Sequence, residues 1–214
     1  MVSAEHEPRR VGTIWLFDLD HSIPDVNPGI PVSFSRVNLE SITKLAALIG
    51  ENSSTDILKR FESGRRCYVA QVNEQFAAYG WVSFEEEFVG ELSLHLKLLP
   101  GEAYIWDCVT LPAFRRNHLY SALLRHMLVD LRAEPLHRVW IGADLDNTPS
   151  QRGIARAGFK AVADLVLLRV AARRQAWLEG RPDVPERLVT EARRVYLNSH
   201  DKVWLDSRSS ATTG

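Results

Sequence analysis

Apolar and polar residues alternate through the middle of the chain. Leucines at every second position from 92 to 98 are separated by polar residues, which predicts a strand with one buried face. Residues 103–111 are almost continuously apolar, as is typical of a strand covered on both faces, and they carry one charge, Asp107, at the centre. From 116 to 132 the apolar positions follow the period of a helix.

The remaining segments predict further strands and helices around this centre. Strands are expected at residues 11–20, 32–37, 67–73, 76–84, 138–143 and 160–170, helices at 39–49, 55–62 and 149–157, and an acidic turn at 85–87. This order predicts an α+β fold with a mixed, mostly antiparallel central sheet flanked by helices. Residues 1–172 are expected to form one domain with an added N-terminal strand. Residues 173–214 are expected to form a C-terminal extension, helical at 185–198 and disordered from 207 onward.

The charge balance limits the partners of the chain. Its 214 residues carry 26 Lys and Arg against 27 Asp and Glu, a net charge of -1, whereas nucleic-acid-binding domains usually carry a strong basic excess. No apolar run approaches the roughly 18 residues that a membrane span needs. We therefore expect a cytoplasmic protein with no nucleic-acid or membrane partner. Cys67 and Cys108 lack the spacing of a zinc site or a disulfide framework, so no metal is expected.

One segment joins a buried strand to a helix through a basic turn. The strand ends before Pro112, two arginines follow at Arg115 and Arg116, and the helix begins directly after them. The free amides of a helix N-terminus and two adjacent arginines can form a cradle for a pyrophosphate. A solvated turn with two surface arginines is the alternative.

This segment resembles the acetyl-CoA-binding signature of the GNAT superfamily of N-acetyltransferases. In that signature a strand is followed by a proline, an Arg/Gln-x-x-Gly-x-Gly/Ala turn and a helix whose first turn ends in Leu-Leu. The matching residues here are Pro112, 115–120 (RRNHLY), Leu123 and Leu124. Residues 147–159 (NTPSQRGIARAGF) are similar to a second signature, an Asn before a short helix that ends in Gly-Phe. The resemblance covers about 31–170 and implies a GNAT-like fold.

The resemblance implies acetyl-CoA as co-substrate and assigns the residues that bind it. Backbone groups of the strand would pair with pantetheine, the turn and the start of the helix would hold the pyrophosphate, and the second signature would line the far wall. The residues so assigned are Cys108, Val109, Thr110, Arg115, Arg116, Asn117, His118, Leu119, Tyr120, Ser121, Asn147 and Ser150. The backbone amide of Val109 or Thr110 would stabilise the oxyanion.

The chain departs from the family pattern at three positions. His118 and Tyr120 replace the two glycines of the turn, where glycine normally lets the backbone approach a phosphate without a Cβ in the way. We expect both residues to hold ordinary helical or bridge angles and to point away from the ligand, unless the cradle is altered. The tyrosine that often serves the family as general acid is matched by Ile154, so a tyrosine acid at that position is excluded.

Two carboxylates are candidates for the base that deprotonates the amine. Asp107 lies in an apolar strand, where desolvation should raise its pKa unless a cation or hydrogen-bond donors keep it ionised. The alternative is a structural Asp bound to loop amides or to an arginine. Glu91 lies on the polar strand face that the resemblance places beside the acceptor groove, or on a solvated face. Cys108 has no adjacent His, so an acyl-enzyme is not expected.

These observations predict an acyl-CoA-dependent N-acyltransferase, in the simplest case an acetyltransferase, that transfers the acyl group directly to an amine. A non-catalytic GNAT-like module that binds acyl-CoA or regulates a partner is an alternative, motivated by the missing glycines and tyrosine. An aminoacyl or larger acyl transferase is another, since the N-terminal strand and the extension could build a different acceptor site. The expected partners are acyl-CoA and a small-molecule or peptide amine. The extension could dock on a second subunit to form a homodimer.

Overall fold

The computed structural model describes residues 7–50, 53–90, 92–171 and 173–205. The helices in these ranges are α1 (Ile42–Ile49), α2 (Ser53–Glu62), α3 (Leu119–Arg132), α4 (Thr148–Arg156) and α5 (Glu186–Leu197). The strands are β1 (Arg9–Asp18), β2 (Ser33–Arg36), β3 (Arg66–Val72), β4 (Gln75–Ser83), β5 (Glu86–Val89), β6 (Leu94–Lys97), β7 (Glu102–Thr110), β8 (Arg138–Asp144), β9 (Lys160–Val170), β10 (Arg173–Gly180) and β11 (Lys202–Leu205). The predicted α+β class is confirmed.

Nine of the described strands form one mixed sheet in the order β11-β10-β9-β1-β8-β7-β4-β3-β2. The neighbouring strands run antiparallel except β7 and β8, which are parallel. β1 lies between β8 and β9, so the N-terminal strand is a central element of the sheet.

Helices cover both faces of the sheet. Because side chains alternate along a strand, Trp15 and Phe17 of β1 enter the core beneath α3 and α4, whereas Ile14 and Leu16 enter the core beneath α5. α1 and α2 pack on the same face as α5, over β3 and β4. The sheet is therefore enclosed, which explains the nearly continuous apolar runs of β7 and β8.

The segment around the alternating leucines differs from its prediction. β6 covers only Leu94–Lys97, because Ser93 adopts a left-handed φ of 56° that ends the extended backbone. β6 pairs with β5 in a separate hairpin, and its buried Leu94 and Leu96 pack in the α5 core. The acidic turn predicted at 85–87 is wrong in its bounds, since the bend lies at 84–85 and β5 begins at Glu86.

The C-terminal extension is only partly helical. α5 lies close to the helix predicted at 185–198, but β10 and β11 continue the central sheet beyond β9. The almost fully buried Glu102 of β7 accepts a hydrogen bond from Arg194 at 2.6 Å and so ties α5 to the domain. The predicted disordered tail lies outside the described residues.

The described residues contain neither a membrane-spanning helix nor a group of metal ligands. No helix among them has the length and apolarity needed to cross a bilayer. Within the same ranges, no three His, Cys, Asp or Glu side chains are grouped so that they could hold a metal ion.

Candidate functional site

The parallel strands β7 and β8 part at the centre of the sheet. They pair only as far as Ile105 opposite Ile141. Beyond this point β7 continues to Thr110 and pairs with β4 alone, while β8 continues to Asp144 along β1. The backbone edge of β7 from 106 to 110 therefore faces an opening.

A β-bulge at Asp107 shapes one wall of this opening. The register between β4 and β7 shifts between Tyr79 and Trp81, so Asp107 and Cys108 both lie opposite Gly80. Asp107 has a left-handed φ of 44°. A Cβ on Gly80 would lie 2.7 Å from the Sγ of Cys108, so glycine is needed there to accommodate the bulge. The bulge places the Asp107 side chain at the opening.

Asp107 is paired with an arginine, which is the contact expected for the structural alternative to a base. Arg60 of α2 donates from Nη1 to its Oδ2 at 2.5 Å, and the hydroxyl of Tyr79 donates to its Oδ1 at 3.4 Å. The guanidinium carbon of Arg60 lies 5.0 Å from the ring centre of Trp81 and 4.6 Å from that of Trp106. Burial and the charge of Asp107 raise the pKa of Tyr79 well above its ordinary value.

Two cavities open from the gap in the sheet. The first has a volume of about 630 Å³ and is lined by β1, β5, β7 and β8; its charged lining residues are Arg60, Glu87, Asp107 and Asp144, and we call it the acidic cavity. The second has a volume of about 810 Å³ and lies at the start of α3 and α4. No described carboxylate lines it; its basic lining residues are Arg115, Arg116, His118, Arg152 and Arg156, and we call it the basic cavity.

The two cavities meet at four residues that line both of them: Cys108, Tyr120, Asn147 and Ser150. The hydroxyl of Tyr120 lies 3.2 Å from Ser150 Oγ, and Asn147 caps α4 by accepting a hydrogen bond from the amide of Ser150 at 3.1 Å. The Tyr120 ring packs on α4 at Gly153, where a Cβ would lie 2.4 Å from its Cδ1. Burial raises the pKa of Tyr120 well above its ordinary value, so its hydroxyl keeps its proton.

The start of α3 leaves a row of backbone amides free. The first backbone hydrogen bond of the helix is accepted by the carbonyl of His118, and no backbone carbonyl in the described ranges accepts one from the amides of 116–121. Such free amides, with the positive end of the helix dipole, are suited to an anion.

The expectation that His118 has ordinary helical or bridge angles is wrong. Its φ of 56° and ψ of 16° are left-handed, as is the φ of 67° at Arg116. His118 therefore keeps a conformation that glycine adopts without strain, at a cost of about 1–3 kcal/mol. Its Nδ1 lies 2.7 Å from Nη1 of Arg156, a contact that joins the two helix starts. Tyr120 lies within α3, in helical backbone as expected.

Most of the predicted cofactor residues line the basic cavity. The exception is Asn117, whose side-chain amide donates to the carbonyls of Phe114 and Arg115 and so stabilises the turn. The Oγ1 of Thr110 is buried, lines the cavity and has no hydrogen-bond partner in the described chain. Glu91, the second predicted base, lies outside the described residues.

Three arginines of the site were missed by the sequence analysis. Arg152 and Arg156 are four residues apart on α4 and both line the basic cavity, so their helical spacing within 147–159 was the available signal. Arg60 gave no such signal, because its contact with Asp107 joins residues 47 positions apart in the chain.

Comparisons with known proteins bear on this arrangement. A family model described as the acetyltransferase (GNAT) family matches residues 38–159. A solved GNAT-family acetyltransferase from Colwellia psychrerythraea is similar with a TM-score of 0.55 at 11% identity, over 83% of this chain and 58% of that protein. AAC(6')-Iy, solved with the bisubstrate analog CoA-S-monomethyl-acetylneamine, is similar with a TM-score of 0.50 at 13% identity, over 61% of this chain and 92% of its own. No curated protein matches the sequence.

Proposed function

Because the chain belongs to the GNAT acetyltransferase family and has its fold, we propose that it transfers an acetyl group from acetyl-CoA directly to an amine. The observation that carries this proposal is the meeting of a basic and an acidic cavity at the parted strands. The phosphates of CoA are anionic and a protonated amine is cationic, so each cavity attracts one of the two substrates. The four residues shared by both cavities mark the place of transfer.

The residues of the basic cavity fit CoA. The free amides of 116–121 and the arginines around them offer donors for a pyrophosphate. The unpaired edge of β7 offers backbone groups to the amides of pantetheine, in the manner of an added strand. The cofactor supplies an acyl group that is already activated as a thioester. The protein therefore has to bind, orient and move protons.

Tyr120 is the proton donor that the geometry favours for the departing thiolate. Its hydroxyl lies where the cavities meet and is protonated, since burial raises its pKa, so it has a proton to donate. Ser150 holds the hydroxyl and connects it to the cavity. Ile154, at the position of the family's usual tyrosine, is fully buried in the core and takes no part.

Of the two predicted bases, Asp107 is the one that lies within the described residues. It lines the acidic cavity one residue from Cys108, which lies at the meeting point. The Asp107 carboxylate, positioned by its hydrogen bond from Arg60, can accept a proton from an ammonium group and leave the neutral amine that attacks a thioester. Glu91 stays a prediction.

The state of Cys108 supports direct transfer over an acyl-enzyme. Burial raises the pKa of its thiol well above the ordinary value, so the thiol is neutral and a poor nucleophile. Its Sγ lies 3.5 Å from the carbonyl oxygen of Trp106, and no described histidine forms a hydrogen bond with it.

Calorimetry and a thiol-release assay test the proposal together. We expect saturable binding of both acetyl-CoA and desulfo-CoA, and thiol release that requires an added amine. An Asp107→Asn variant should keep the binding and lose most of the turnover. Absence of binding at millimolar concentration would overturn the proposal. Binding without thiol release for any amine in a broad panel would instead support the non-catalytic module.

A further inference from the structure

The acidic cavity holds a fixed pair of opposite charges, Arg60 and Asp107. The pair is held by the 2.5 Å hydrogen bond between them and by the stacking of the guanidinium over Trp81 and Trp106. Its position is set by the bulge in β7 on one side and by α2 on the other. Side-chain exposures of 29% and 28% show that both groups remain accessible.

Both members of the pair keep unused hydrogen-bonding capacity. Arg60 donates from Nη1, and its Nε and Nη2 make no hydrogen bond to a described residue. Asp107 Oδ1 receives only the long 3.4 Å contact from Tyr79. A ligand in the cavity thus meets a cation with free donors beside an anion with a free acceptor.

The other charged groups of the cavity are differently placed. Glu87 is 6% exposed, and its carboxylate is saturated by hydrogen bonds from Arg65, the Ser83 hydroxyl and the Phe88 amide. Asp144 is exposed and lies at the end of β8, on the opposite side of the gap. The charges beside the meeting point are therefore those of Arg60 and Asp107.

We propose that the acceptor is a free α-amino acid with an apolar side chain, its carboxylate bound by Arg60 and its ammonium group by Asp107. This rests on the proposed transferase function. In an α-amino acid one carbon separates the two charged groups, so they can reach two adjacent charges of opposite sign. Phe88, Val89 and Leu92 line the same cavity and offer an apolar surface to the side chain.

In the proposed acetyl transfer, Asp107 and Tyr120 move the protons. Asp107 takes one proton from the ammonium group, and the neutral nitrogen attacks the thioester carbon. The C–N bond forms as the C–S bond breaks, and the electron pair of that bond goes to sulfur. Tyr120 gives its proton to the sulfur and recovers one from the new amide nitrogen. Asp107 releases its proton to water, so the products are the N-acetyl amino acid, CoA and one proton.

Matched pairs of acceptors, with and without a carboxylate, test whether the enzyme recognises the carboxylate of the amino acid. Thiol release is measured with L-leucine and L-phenylalanine, with their primary amides, and with spermidine as a polycation. We expect kcat/KM for each amino acid to exceed that for its amide by about ten- to a hundredfold, the range for a hydrogen bond between charged groups. Spermidine should be a poor acceptor.

Arg60→Gln should bring the ratio of amino acid to amide close to one, and this ratio is the readout because loss of Arg60 also alters the surroundings of Asp107 and so the rate with both substrates. The ratio compares two substrates on the same sample, so a smaller folded fraction does not affect it. Lys59→Gln is the matched control, since Lys59 precedes Arg60 on α2, is 68% exposed and does not line the cavity. It should keep the wild-type ratio.

Equal rates with the amino acids and their amides, or preference for spermidine, would overturn this inference and leave the transferase function standing. An unchanged ratio in Arg60→Gln would overturn it as well. The transferase function itself is wrong if the protein fails to bind acetyl-CoA, or if none of the amines tested leads to thiol release. This inference then falls with it.

Discussion

Tyr120 stands where the family pattern has a glycine, and it lines both cavities. From the sequence it is a bulky residue in a place that usually has no side chain. The structure shows that its ring lies against α4 because residue 153 is glycine, and that its hydroxyl reaches Ser150. The contact between positions 120 and 153 joins two helices, so no local pattern could have indicated it.

Replacing Tyr120 by Phe removes the hydroxyl and keeps the ring. We expect kcat to fall by about a hundredfold, the contribution of a positioned acid, with little change in acetyl-CoA affinity. Tyr68→Phe is the control, because Tyr68 is also buried but its hydroxyl donates to Asp130, and neither residue lines either cavity. Equal kcat values for wild type and Tyr120→Phe would contradict the assignment.

The raised pKa of Tyr120 also predicts the alkaline side of the pH profile. A phenol with a raised pKa remains protonated beyond its ordinary value of about 10. The kcat of the wild type should therefore show no loss attributable to this group up to that pH. A decline in kcat well below pH 10 that disappears in Tyr120→Phe would show that the hydroxyl ionises too early to serve as described.

At the scale of elements, the sequence indicates most segments and few of their pairings. The period of α3 and the apolar run of β7 were sufficient to predict both. The place of β1 between β8 and β9, the separate β5–β6 hairpin and the bulge at Asp107 depend on contacts between distant segments. A strand pattern defines which face is buried, but it does not define the neighbouring strand.

The attachment to β3 of the turn that follows α3 should depend on pH. A hydrogen bond from Arg66 lowers the pKa of Glu134 in the folded protein below its unfolded value of 4.5. Stability from this pair is therefore present above that value and is lost as pH falls through the folded pKa. In urea titrations, Glu134→Gln should be less stable than wild type at neutral pH, and the difference should shrink as the pH falls below 4.5. A difference independent of pH would contradict this.

The attachment of α5 depends on a buried carboxylate. Burial opposes ionisation of Glu102, but hydrogen bonds from the Leu99 amide and from Arg194 lower its pKa, so it is charged. Arg194→Ala removes a charged partner and should reduce the free energy of unfolding by about 2 kcal/mol. Arg187→Ala, an exposed arginine on the same helix, should change it by less than about 0.5 kcal/mol. Equal effects in chemical denaturation would show that the pair does not stabilise the fold.

At the scale of the whole molecule, a net charge of -1 conceals two cavities of opposite character. Arg115 and Arg116 of the predicted basic turn both line the basic cavity. Arg152 and Arg156 of α4 line the same cavity, so folding places arginines of two separate segments around it. The predicted homodimer and the cytoplasmic location stay predictions.

A crystal structure of the complex with acetyl-CoA is the measurement that tests the central claim most directly. The account predicts the pyrophosphate at the amides of 116–121, pantetheine along the open edge of β7, and the thioester beside the Tyr120 hydroxyl where the two cavities meet. A nucleotide bound outside the basic cavity, or a thioester directed away from the acidic cavity, would contradict the account.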